Sequence, residues 1–376
     1  MNKLFLVFLL SFLIFGCKEN KHNEHYVIID LNNVLSSENS NDQLAIEEVK
    51  MIPLETTDES LISFITKIDI CDKYLYICDL YQGSSLAIFD INGKFVKRLP
   101  KGNGQGEIYN LGCFAYDKYR DLLLIYQYGS ISTFSANGKY INSFEFPNYV
   151  TDFIALPDGY LFVQSELHNK DQEFSILRTD IAFNIIETIG IEAPFSFGMV
   201  NHLSYSENDG ITIPHPFDNN IYIYNGDGVS VKERLNFSDY QLDISTIDGG
   251  YLSLDETLAK TNKLVFGGIL YETNNYEYIQ LEGNMIVKPL LINKYSKKCY
   301  PGLLQQLPIN ITLNALNNYF VGYVASDMVA FRTQEEEDAY YDKLTALSTE
   351  QISLLRSSSP DDNPIIILYS IKNTYN

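Results

Sequence analysis

The chain has 376 residues but no tryptophan, only five cysteines and only five histidines. Two of the histidines, His22 and His25, fall in a polar stretch near the N-terminus, which leaves a histidine-based acid–base or nucleophilic mechanism little to work with. There is no CxxC and no Cys/His cluster, so no metal site is expected from motifs. Beyond Cys17 the cysteines are Cys71, Cys78, Cys113 and Cys299. Cys71 and Cys78 flank an apparent hairpin, CDKYLYIC, one beside the turn and the other far from it. They would not face each other; an exported domain could oxidise its cysteines, and disulfides among the four are left open. Basic residues are scarce: 27 Lys and Arg against 48 Asp and Glu give a net charge of −21. Such a chain repels phosphates and is a poor partner for nucleic acid. GxSxG, HExxH and DxDxDG are all missing, and the turns NGDG (225–228) and SENDG (206–210) are too short for calcium loops.

Long apolar runs are missing too, with one exception. Leu4 to Phe15 is apolar apart from Ser11, follows Lys3, and at twelve residues is shorter than the roughly 20 needed to span a bilayer. Ile14-Phe15-Gly16-Cys17 then resembles a bacterial lipobox. The resemblance implies a signal peptide at 1–16, cleavage before Cys17, and lipidation of its thiol and new amino group. Acyl chains hold a protein on a membrane without a spanning helix, at roughly 0.8 kcal/mol per buried methylene. The polar run KENKHNEH (18–25) reads as a tether, taken to extend over 17–42, with the folded domain at 43–376. Lys18-Glu19 resembles the surface-export signal of Bacteroidota lipoproteins, so an outer-membrane lipoprotein is expected, with its periplasmic or surface face left open.

What the chain has in quantity is β-type sequence, including 28 Tyr and 22 Phe. YLYIC, LAIFD, Asn92-Gly93 and KFVKRL read as strand, strand, hairpin turn and strand, with Asn-Gly suited to a type I′ turn. The pattern returns as DLLLIYQY, SISTF, Asn137-Gly138 and KYINSFEF, a step of 45 residues. GYLFVQSE, EFSILRTD and IIETIGI make a third copy, with Ala182-Phe183-Asn184 near the turn. GITIPHP, NIYIYNGDG and VKERLNF make a fourth, and VFGGILYE, YEYIQLE and IVKPLLI a degenerate fifth. A further apolar run precedes each of the first four: SFITKIDI, LGCFAYD, VTDFIALP and VNHLSYS. Four strands per repeat of this length predict an all-β, six-bladed β-propeller, in which radially stacked sheets bury each other's faces. The sixth blade is split into ITLNAL (311–316), YFVGYVA (319–325) and IIILYSIK (365–372). The N-terminal run EEVKMIPLE (47–55) would close the ring against the last of these. Inside this blade, 333–358 changes to helical period. Ala339, Tyr340, Leu344 and Leu347 are spaced for one helix, and Ser348 with Gln351 forms a capping box for a second.

IPLE (52–55), IFDINGKFV (88–96), GNGQGEIYN (102–110) and DDNPIIILYSIK (361–372), together with the lipobox, resemble the six-bladed β-propeller lipoproteins of Bacteroidota, which are related to NHL-type propellers. That family's glycine loop reads GxGPGEY, and here Gln105 stands in place of the proline. The resemblance implies a fold and a location, and no particular reaction.

KGNGQGEIYN (101–110) has alternating glycines like a phosphate loop, but no helix follows it, so no nucleotide is expected. The link between successive blades lies on the same face as the second-to-third strand loops, which commonly holds a propeller's binding mouth. The candidate ligand face therefore carries Gln105, Glu107 and Tyr109 from the glycine loop. The other loops add Asp79, Tyr81, Tyr126, Tyr128, Glu166, His168, His215, Phe217 and Asp218. Tyrosines beside carboxylates and amides suit a glycan, a peptide or an envelope protein. Most simply, the chain is a non-enzymatic binding or scaffold module without a cofactor. One alternative is a lactonase-like hydrolase or lyase with a divalent ion in the central channel. Another is an accessory subunit of an envelope assembly that docks through the 333–358 helices.

Overall fold

The computed structural model describes residues 26–36, 44–79, 85–164, 173–192, 203–206, 210–226, 228–244, 247, 251–284, 286–302, 304–309, 312–325 and 333–373. The chain opens with β1 (Val27–Asp30), α1 (Asn32–Ser36) and β2 (Ile46–Pro53). Blade one is β3 (Ile65–Ile70), β4 (Tyr74–Asp79), β5 (Ser85–Asp90) and β6 (Phe95–Arg98). Blade two is β7 (Cys113–Asp117), β8 (Leu122–Tyr126), β9 (Gly129–Ser135) and β10 (Tyr140–Phe146). Blade three is β11 (Val150–Leu156), β12 (Gly159–Gln164), β13 (Glu173–Asp180) and β14 (Ile185–Glu192). Blade four is β15 (Ser204–Ser206), β16 (Gly210–Pro214), β17 (Asn220–Tyr224) and β18 (Val229–Asn236). After α2 (Tyr251–Ala259), blade five is β19 (Val265–Glu272), β20 (Tyr276–Gly283), β21 (Ile286–Asn293) and β22 (Cys299–Pro301). Blade six begins with β23 (Thr312–Leu316) and β24 (Tyr319–Val324), then carries α3 (Gln334–Tyr341) and α4 (Thr349–Ser357) before β25 (Ile365–Ile371).

The six sheets are antiparallel apart from the added β1, and the ring is a six-bladed propeller. It closes as expected: β2 pairs antiparallel with β25, from Ile46 opposite Ile371 to Pro53 opposite Ile365. No blade has a core of its own. In β4, Leu75 and Ile77 pack on Val321 and Ile366 of blade six, whereas Tyr76 packs on Phe114 and Phe134 of blade two. Side chains alternate across a strand with period two, so each strand feeds two junctions. The same holds around the ring, with one apolar cluster at each remaining junction.

Four features differ from the expectation. Residues 27–36 are not tether. β1 adds a fifth, parallel strand to β18, pairing Val27 with Glu233 through Asp30 with Asn236. Ile29 and Leu31 are fully buried between blades four and five. The hairpin turns of blades one and two are not type I′, because only Gly93 (φ 85°) and Gly138 (φ 80°) are left-handed, and Asn92 and Asn137 are not. The Gly93 N–H donates to the Asp90 carbonyl, giving a three-residue loop that ends on a left-handed glycine. In the fifth copy VFGGILYE is the innermost strand, and the missing fourth is the short outer β22. Finally, α3 stops at Tyr341, so Leu344 and Leu347 lie in the link to α4 and still bury against blades five and six. The capping box on α4 forms as expected, and the Gln351 side chain also donates to the Val49 carbonyl of the closing strand at 2.9 Å. Cys71, Cys78, Cys113 and Cys299 are all free thiols.

Candidate functional site

The glycine loop binds its own chain. The Glu107 carboxylate folds back and accepts the Gly104 N–H at 2.7 Å. A Cβ at Gly102 would lie 2.1 Å from that carboxylate oxygen, so the glycines make room for Glu107. Gln105 is exposed, and Tyr109 is 68% exposed while its backbone N–H donates to the Gln127 side chain.

Most other residues singled out on this face are committed to structure. Asp79 is fully buried and accepts the backbone N–H groups of Ser63 and Phe64. Tyr126 is buried and donates to the Asn148 carbonyl, and Tyr128, half exposed, packs its ring against Tyr126 and Tyr149. Asp218 accepts the Tyr222 hydroxyl at 2.5 Å and the Asn220 N–H. Phe217 is buried, as is His215, whose pKa burial pulls down to about 4. Tyr81, Glu166, His168 and Cys17 lie outside the described residues.

A cavity among the described residues lies elsewhere. A space of about 490 Å³ occupies the channel, lined from all six blades. Its lining includes Cys71 and Asp72, Lys118, Asn274 and Asn317, which lie in first-to-second strand turns of blades one, two, five and six. In an antiparallel blade those turns lie opposite the second-to-third strand loops, so the cavity opens on the other face from the one inferred from sequence. None of the residues named there lines it.

Each innermost strand supplies polar groups that neighbouring blades hold in place. Lys67 of β3 reaches across to Asp152 of β11 at 2.8 Å. The second Asp152 oxygen accepts the Leu203 N–H, just before β15. Asp69 accepts N–H groups from Ile70 and, in the next blade, Tyr116. Asn314 of β23 donates to the Ile68 carbonyl, and Ser204 accepts the Glu272 N–H. Behind the cavity the Glu272 carboxylate is held by Lys232 at 2.5 Å and Lys294 at 3.4 Å. Ala115, Ala155 and Ala315 leave the space open.

Burial acts to lower the Lys67 pKa, but Asp152, Cys113 and Asp69 together more than offset it, and the ammonium is held above its ordinary value. Burial raises the Asp69 pKa against the opposing pull of the Tyr116 N–H and Lys67. Among the described residues no three His, Cys, Asp or Glu side chains come together as metal ligands. An ion at the channel floor would also meet the Lys67 ammonium.

A family model for a domain of unknown function, DUF4934, matches residues 26–370. The chain belongs to the DUF4934 family. That match begins at β1, in agreement with the structural role of the first strand. A candidate exported protein of Bacteroides fragilis is similar at TM-score 0.71 and 18% identity, over 92% of this chain and 100% of that one. A DUF4221 family member from Bacteroides vulgatus is similar at TM-score 0.51 and 13% identity, over 88% and 99%. At these identities the likeness is one of fold. No curated protein matches the chain. These matches give the family and a propeller fold shared with proteins of Bacteroides, and carry no argument for an NHL-type relationship.

Proposed function

We propose that this DUF4934 protein is a lipid-anchored binding module of the cell envelope that holds a small, uncharged, polyhydroxylated ligand in its channel. The observation that carries the reading is the cavity lining: it draws polar side chains from several blades, and Asp69, Asp152, Ser204 and Asn314 are held by backbone groups of neighbouring elements before any ligand arrives. Pre-organised groups lose little freedom on binding. The volume, about 490 Å³, falls within the range of small-molecule sites.

The charge pattern supports a neutral ligand. Asp69, Asp72 and Asp152 line the cavity beside Lys67 and Lys118, a near balance of charge that favours neither a strong anion nor a strong cation. A cation would meet Lys67 at the floor. Hydroxyls can donate to the carboxylates and accept from the ammonium and amides. The exported character of the Bacteroides fragilis neighbour and the signal and lipobox at 1–17 support an envelope location. No helix among the described residues is long and apolar enough to cross a membrane; in this reading the lipid on Cys17 supplies the attachment.

A thermal-shift panel of neutral sugars, uronates, amino sugars and short peptides tests this reading. Neutral sugars should raise the Tm, and Asp69→Asn should reduce the shift at a given sugar concentration. Stabilisation by uronates or peptides alone would overturn the ligand class, and no shift with any class would overturn the cavity as a binding site.

A further inference from the structure

β1 and α1 fix where the chain enters the ring, and this has a consequence for the membrane. We infer that the rim of blades four and five is the membrane-proximal surface of the anchored protein, with the lipid headgroup layer as its partner. The inference rests on the Cys17 anchor and is independent of the cavity's ligand.

The entry point is rigid. β1 is laddered to β18, and Arg234 donates to the Tyr26 hydroxyl at 2.9 Å while lying 4.3 Å from its ring centre. From Cys17 to Tyr26 the chain advances nine positions, so the lipid attachment lies within roughly 32 Å of Tyr26 even at full extension. β1 runs parallel to β18, so the chain arrives from the side of the hairpin joining β17 to β18. Third-to-fourth strand hairpins share a face with the first-to-second turns, which is the face of the cavity mouth.

The surface at this rim differs from the rest of the molecule. In a chain with 48 acidic residues, none occurs from Gly283 to Ser326. Within that segment Lys294 and Lys297 pair with the buried Glu272 and Glu233, and Lys298 is exposed at the rim. Lys298 and Tyr295, the latter 65% exposed, project from the hairpin between β21 and β22. That hairpin adjoins the entry strand: the Cys299 thiol lies 3.6 Å from the Asp30 carbonyl oxygen. Val27 and Ile28 on β1 are 44% and 59% exposed. Tyrosine and lysine suit the headgroup layer, where an aromatic ring stays half wet and each lysine near an anionic surface contributes about 1 kcal/mol. The rim thus adds a second membrane signal to the acyl chains.

The lack of tryptophan makes the test direct, since any introduced tryptophan is the only one in the chain. Ile28→Trp, Tyr295→Trp and, on the far side of the ring in blade two, Ile141→Trp would be prepared in the full lipidated chain. Each would be reconstituted in phosphatidylethanolamine–phosphatidylglycerol vesicles containing brominated lipid. Emission at 28 and 295 should be quenched at least about twice as strongly as at 141, as interfacial side chains require. Equal quenching at the three positions, or stronger quenching at 141, would overturn the inference. So would a processed wild-type chain that does not associate with the vesicles.

Discussion

The two faces of the ring use their polar residues differently. On the face of the glycine loop, polar groups are tied up within their own loop or blade: Glu107 by Gly104, Asp79 by Ser63 and Phe64, Asp218 by Asn220 and Tyr222. On the other face, Lys67, Asp69, Asp152 and Asn314 reach between blades, and the residues that meet are far apart in the chain. A residue cluster visible in one stretch of sequence tends to satisfy itself locally. A site assembled from one or two residues per blade leaves no local pattern.

The largest effect that would separate the faces is loss of the cross-channel ion pair. Lys67→Met strands the Asp152 carboxylate, whose side chain is only 4% exposed, and breaking such a pair should cost about 3 kcal/mol by denaturant unfolding. Gln105→Ala on the opposite face should change stability by less than about 0.5 kcal/mol. A small effect at Lys67 would remove the distinction. Ligand affinity comes next: Asp69→Asn should weaken sugar binding about tenfold, or about 1.4 kcal/mol, while Tyr109→Ala leaves it unchanged in calorimetric titration. Glu107→Ala should then cost about 1 kcal/mol of stability through the lost Gly104 hydrogen bond, with no change in ligand affinity.

The smallest effect is a pH dependence. The folded Asp69 pKa is raised above the unfolded value, so the folded chain keeps this proton to higher pH. The group's contribution to stability is full below its ordinary value of 3.8 and is lost as pH rises through the folded pKa. Tm profiles of wild type and Asp69→Asn should diverge in slope within that window, and parallel profiles would contradict the assignment.

Much of the fold was legible because period-two strands and Asn-Gly turns repeat within short windows. The closure of blade six was legible because β2 had no other partner in sequence order. β1 was not: VIID is four residues long, follows a charged stretch, and gains its stability from burying Ile29 against blades four and five. α2 was missed as well: it is nine residues long, and its buried Leu254 and Leu258 cluster with Phe217 and Val265, which lie outside the helix. The turn type was misread because Asn-Gly is compatible with two hairpin loops, and the Asp90 side chain, accepting the N–H groups of Asn92 and Lys94, favours the longer one. The cavity residues sit in ordinary strand sequence, such as ITKIDI and TLNAL, and only ring closure brings them together.

The central claim is that this propeller binds its ligand in the channel and not on the glycine-loop face. Isothermal titration of a neutral disaccharide into wild type, Ala315→Phe and the Tyr109→Ala/Tyr128→Ala pair tests it directly. The account predicts saturable one-to-one binding to wild type, its loss when phenylalanine fills the cavity, and full retention when the two tyrosines are removed. Binding that survives Ala315→Phe but disappears with the tyrosines would contradict it.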